Sequence, residues 1–139
     1  MANQSLLHVP VIGLVFKPGP EAVETMQTAR TLDPRARIWA IVTDADVPSV
    51  RSEWRDCDDT ALLIVHAPSE QAVDAACELL ALVPSGPAAI LLANFPPQRG
   101  FFKSRRFNED VVRRLQTGHD DLQVHVYSPD WIRRPPRLR

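Results

Sequence analysis

The chain has 139 residues and a formal net charge of −1, with hydrophobic residues at 45% and charged residues at 24%. That is one domain of ordinary globular composition, large enough to bury a core without a disulfide or metal staple. Collagen, coiled coil and wholesale disorder are excluded by composition, and the longest apolar runs fall far short of the roughly 18 residues a membrane helix needs.

In chain order, the N-terminal residues carry no basic region ahead of a long apolar stretch. No secretory signal is therefore expected, and a cytoplasmic location is. The first apolar run, Val9–Phe16, reads as a strand and ends at Lys17-Pro-Gly-Pro20. Ala22, Val23, Met26, Ala29 and Leu32 then recur at helical spacing. A second strand, Arg37–Thr43, runs into Asp44-Ala-Asp46, followed by a short helical stripe of Val47, Val50 and Trp54. The third strand is Ala61–His66. Ser69 is the expected cap of the next helix, with Glu70 in its first turn and a stripe from Ala72 to Val83 that is the strongest in the chain. Ala88–Ala93 is the fourth strand. A helix then starts at an expected cap, Asn108, carries Val111, Val112 and Leu115, and stops near Gly118; Gly86 marks the corresponding stop before the fourth strand. Leu122–Tyr127 is the fifth strand, and residues 129–139 read as an Arg/Pro-rich tail whose tract 133–139 is extended and solvated. Most of the 13 prolines fall between these segments, as punctuation should.

Several strands are apolar on successive residues, as a sheet covered on both faces requires. Strands alternating with helices imply right-handed crossovers onto a parallel sheet. The expected fold is an α/β three-layer sandwich with a five-stranded parallel sheet over residues 1–128. Its architecture resembles the flavodoxin-like order, with a Rossmann-like order as the alternative.

Ligands of open parallel sheets bind at the strand C-terminal ends, where the strand order reverses. In the flavodoxin-like order that brings Lys17, His66 and Ser69 together with Asn94 beside them, and Asp44 and Asp46 one strand away. These six residues are a candidate ligand pocket. Their chemistry assigns no reaction. Lys17-Pro-Gly-Pro has one glycine and two prolines lacking amide donors, a poor phosphate cradle, and no dinucleotide fingerprint is present. The size resembles a response-regulator receiver. The acidic residues and phosphoacceptor Asp such a domain needs are replaced by Phe16-Lys17 and His66-Ala67, leaving only a degenerate receiver-like docking module. Asp44 and Asp46 form an Asp-x-Asp pair of the kind that holds magnesium, but helix capping and solvation account for it equally. His66 and Ser69 lack the nucleophile elbow of a hydrolase. No catalytic residue, metal site or cofactor is assigned. Cys57 and Cys77 have no metal-ligand spacing and read as free thiols.

The segment Phe95–Phe107 is long for a connection between strand and helix and holds four of the five phenylalanines. It also carries Arg99, Lys103, Arg105 and Arg106. Aromatic and Arg side chains dominate protein interfaces, so Arg99, Phe101, Phe102, Lys103, Arg105 and Arg106 are expected to dock a partner, extended by Trp131, Arg133 and Arg134 of the tail. The partner is a protein or a second copy of the chain. The alternative is a nucleic acid or phosphate ligand on the same basic surface, with phosphates neutralised by Arg and bases stacked on Phe. A second alternative is a small enzyme built at the strand ends. Residues 1–97 hold 6 basic and 12 acidic groups, whereas residues 98–139 hold 10 and 5. Whether this polarises the molecule depends on how the two parts are arranged in the fold.

Overall fold

The five apolar runs form five strands: β1 (Val11–Val15), β2 (Arg37–Val42), β3 (Leu62–His66), β4 (Ala88–Leu92) and β5 (Leu122–Val126). They are connected by helices α1 (Pro20–Leu32), α2 (Val47–Glu53), α3 (Ala72–Ala81) and α4 (Lys103–Gln116). A 3₁₀ turn at Asp44–Asp46 leads into α2, and another at Pro129–Ile132 comes after β5. The computed structural model describes residues 9–55, 62–68, 71–83, 87–93, 103–117, 119 and 121–138, leaving out the side chains of 103–108, 110 and 132. Ser69, Asn94, Arg99, Phe101 and Phe102 lie outside the described residues, as do Cys57, Gly86 and Gly118.

All strand pairs are parallel, and the order is β3-β2-β1-β4-β5. This is the Rossmann-like alternative and corrects the flavodoxin-like order, in which β3 would sit beside β1. Right-handed crossovers allow a step in either direction, the direction being fixed by which face the helix covers. An apolar stripe shows that a helix packs on the sheet, not on which face. Here α1 and α2 cover one face while the chain steps from β1 to β2 to β3. The helices α3 and α4 cover the other face while it returns past β1 to β4 and β5.

The two faces bury separate cores. Ile12, Leu14, Trp39, Ile41, Ile90 and Leu92 pack beneath Ala76 and Leu80 of α3 and Val111 and Leu115 of α4. Val15, Ile38, Ala40, Val42 and Leu91 pack beneath Met26 and Ala29 of α1 and Val50 and Trp54 of α2. Burial on both faces explains why β1 and β4 are apolar at nearly every position. Gly13 lets α1 approach closely: a Cβ there would lie 2.9 Å from Ile38 Cδ1 and 3.6 Å from Ala29 Cβ. Asp33, buried at the end of α1, accepts the Val11 N–H at 3.1 Å and the Arg35 N–H at 3.0 Å, tying the start of β1 to the α1–β2 turn.

Two boundaries differ from the expected ones. Helix α4 begins at Lys103, five residues ahead of Asn108, so Lys103, Arg105 and Arg106 belong to a helix and not to a loop. Lys and Arg are good helix formers, and a single Asn inside a helix costs less than about 1 kcal/mol, too little to stop it. The segment after β5 is anchored at its start, while Arg133, Arg134, Pro135 and Arg137 further on are exposed. Trp131 is only 6% exposed, packs edge-on against Tyr127 with ring centroids 5.7 Å apart, and joins the α1/α2 core; Leu138 packs on the same cluster. Trp131 is therefore a packing residue rather than a member of an exposed docking surface, whereas Arg133 and Arg134 are exposed. Among the described residues, no helix is long and apolar enough to cross a membrane.

Candidate functional site at the strand C-termini

In this strand order the reversal lies between β1 and β4, since the chain departs from β1 in one direction and from β4 in the other. The ends of these two strands are locked together by the Ala93 N–H, which donates to the Leu14 carbonyl at 3.0 Å. Lys17, exposed just past β1, therefore neighbours the end of β4. His66 is not its neighbour. With β2 intervening, β3 sits roughly 10 Å from β1. The grouping of Lys17 with His66 is thus corrected by the strand order, and Ser69 lies outside the described residues.

What the structure does bring together is Asp44 with His66. β2 and β3 pair in register with Val42 opposite His66, and the Ala67 N–H donates to the Val42 carbonyl at 3.0 Å. The turn after β2 then brings Asp44 Oδ1 to 2.7 Å from His66 Nδ1. A neutral imidazole in this pair carries its proton on Nδ1 and presents Nε2 as an acceptor. The side chains are 57% and 86% exposed for His66 and Asp44, so water surrounds the pair. Asp46 occupies the cap position of α2 but makes no cap bond; its Oδ2 accepts from Thr43 Oγ1 at 3.3 Å. Among the described residues, no group of three His, Cys, Asp or Glu side chains is arranged to hold a metal ion.

Three further ties were not legible in the sequence. The Gly19 N–H donates to Glu53 Oε2 at 3.0 Å, joining the loop after β1 to the end of α2. Gly19 has φ of +146°, a conformation that side-chain-bearing residues rarely adopt, so glycine is required there. Tyr127, just past β5, donates its hydroxyl to Glu24 on α1. That bond to a carboxylate is the main reason its phenol is pushed up to about 12, with burial and the charges of Glu24 and Glu21 adding to it. On the opposite face Arg114 of α4 pairs with Asp74 of α3 beside the half-buried thiol of Cys77. Burial pushes the Cys77 thiol up, with Arg114 opposing the shift and Asp74 reinforcing it.

The strand order also decides the effect of the charge asymmetry. Residues 1–97, with their acidic excess, supply β1, β2, β3 and β4 with the helices α1, α2 and α3. Residues 98–139, with their basic excess, supply α4, β5 beyond β4, and the C-terminal segment, which packs back on the α1/α2 core. The two parts also meet: Trp131 and Leu138 pack on the α1/α2 core, Tyr127 bonds to Glu24 and Arg114 pairs with Asp74, so the basic excess is not set apart from the acidic one.

No protein-family profile matches the chain. No curated protein matches it either. Among solved structures it is similar to one titled "Structure of the Pyocyanin Biosynthetic Protein PhzM", at 17% identity and a TM-score of 0.41 over 92% of this chain. The chain spans 38% of the length of that protein. The fold assignment rests on the strand order itself.

Proposed function

We propose that the protein is a non-catalytic binding module that docks an acidic segment of a partner protein through the basic segment between β4 and the first turns of α4. The observation that carries this reading is the strand order. β4 ends at the reversal point, where open parallel sheets bind their ligands, and Lys17 is exposed just past the neighbouring β1. The sequence between β4 and α4 carries Arg99, Phe101 and Phe102, and α4 opens with Lys103, Arg105 and Arg106. Cationic side chains beside aromatic ones suit an acidic peptide: the charges steer it and the aromatics anchor it. Arg133 and Arg134, exposed after β5, belong to the same basic third of the chain.

A second reading is favoured by one specific contact. The Asp44–His66 pair has the arrangement of an oriented general base and would serve a small enzyme. Its high exposure speaks against it, because an acid–base site works best where water is excluded.

The test is a fluorescence titration of the full chain with a labelled oligoglutamate peptide and with a labelled single-stranded RNA, beside an Arg105→Glu/Arg106→Glu variant. The expected result is saturable peptide binding that weakens with salt and falls by about tenfold or more in the variant. Tighter binding of the RNA would move the reading to a polyanion surface. Binding of neither probe would overturn it.

A further inference from the structure

Among the described residues, β3 and β5 are the outer strands of the sheet, and no strand pairs with their outer sides. In a parallel ladder, alternate residues turn their N–H and C=O groups to opposite sides. Ala67 donates to β2, so residues 62, 64 and 66 direct these groups outward. Tyr127 donates to β4, so residues 124 and 126 direct theirs outward from β5, while the Leu122 N–H donates to the His119 carbonyl at 3.2 Å. Neither edge has the usual protection. β3 reads Leu-Leu-Ile-Val, its Leu63 is 43% exposed, and neither strand contains a proline or lysine.

Each edge is flanked by a groove: the one along β3 carries two arginines, and the one along β5, which takes in Gln116 of α4, carries the single carboxylate of Asp121. Along β3 a groove of about 490 Å³ is lined by Arg51, Trp54, Arg55, Leu62 and Ile64. Along β5 one of about 620 Å³ is lined by Asp121, Leu122, Val124 and His125 among others. Arg51 and Arg55 sit by the N-terminal end of β3 on the face covered by α2. Asp121 sits at the N-terminal end of β5, and side-chain alternation puts it on the same face as Tyr127, again the α1/α2 face.

We propose that copies of this chain assemble edge to edge, β5 of one copy lying parallel beside β3 of the next, with Asp121 facing Arg51 and Arg55 across the junction. The parallel arrangement brings the two N-terminal ends together and keeps each face of the sheet continuous. A two-fold pairing of β3 with β3 would instead direct Arg51 and Arg55 towards Asp44, which already holds His66. Because the junction uses two different surfaces, it repeats and does not close into a two-fold dimer.

Sedimentation velocity over a wide concentration range tests this with two edge variants. Ile64→Pro and Val124→Pro each remove one outward N–H and leave the inner ladder intact. The wild type should show species heavier than the 15.6 kDa monomer that increase with concentration. Each variant alone should stay monomeric or, at most, lose the larger species. An equimolar mixture should form a one-to-one dimer through the junction that both retain. Circular dichroism checks that each variant is folded. Arg51→Glu/Arg55→Glu and Asp121→Arg, at exposed positions, repeat the test without touching the backbone: each alone loses association and their mixture regains it. A wild type that remains monomeric throughout would overturn the proposal. So would a Val124→Pro variant that dimerises by itself, since that result belongs to two-fold pairing through β3.

Discussion

Tyr127 is the one tyrosine in the chain, so its titration can be read without interference. Its hydroxyl donates to Glu24, and the phenol is pushed up to about 12. The neutral form is the one stabilised in the folded protein. This contribution to stability is therefore complete below the ordinary tyrosine range near pH 10 and is lost as the pH rises from there through about 12. Spectrophotometric titration should place the phenolate midpoint well above that of free tyrosine. Glu24→Gln should bring it back down, because a neutral amide no longer opposes the phenolate. A midpoint unchanged by the substitution would show that the bond to Glu24 is not its cause. Nothing in the sequence flagged this pair: the residues are 103 apart, and their meeting depends on β5 and α1 sharing one face of the sheet.

At the scale of elements, period and punctuation located all five strands to within two residues at each end. They succeeded because burial on both faces forces continuous apolar runs, a strong signal. The start of α4 was hidden because Asn108 with two acidic residues after it has the form of a helix start, while the Lys and Arg before it favour a helix just as well. The 3₁₀ turn after β5 was hidden for another reason. A proline- and arginine-rich stretch looks solvated, and the single Trp131 that pins it carries no periodicity. Trp131→Ala removes a buried aromatic from the α1/α2 core and should cost about 3 kcal/mol or more, measured by urea denaturation. A loss below about 1 kcal/mol would mean that the turn does not anchor the chain after β5.

For the whole molecule, the five-stranded parallel sandwich was legible, but its strand order was not, and the candidate site changed with it. A pocket assembled around β1 and β3 became two separate groups: Lys17 beside the end of β4, and Asp44 with His66 towards the β3 edge. The hydrophobic pattern of each helix is compatible with either face of the sheet, and the choice of face sets the order. The same order puts β5, and with it part of the basic third of the chain, beside β4. The most direct measurement is a residue-resolved NMR titration of the full chain with an oligoglutamate peptide. The account predicts saturable amide shifts at Lys17, around Ala93 and in the first turns of α4, with Asp44 and His66 unmoved. Shifts centred on Asp44 and His66, with the start of α4 silent, would contradict it.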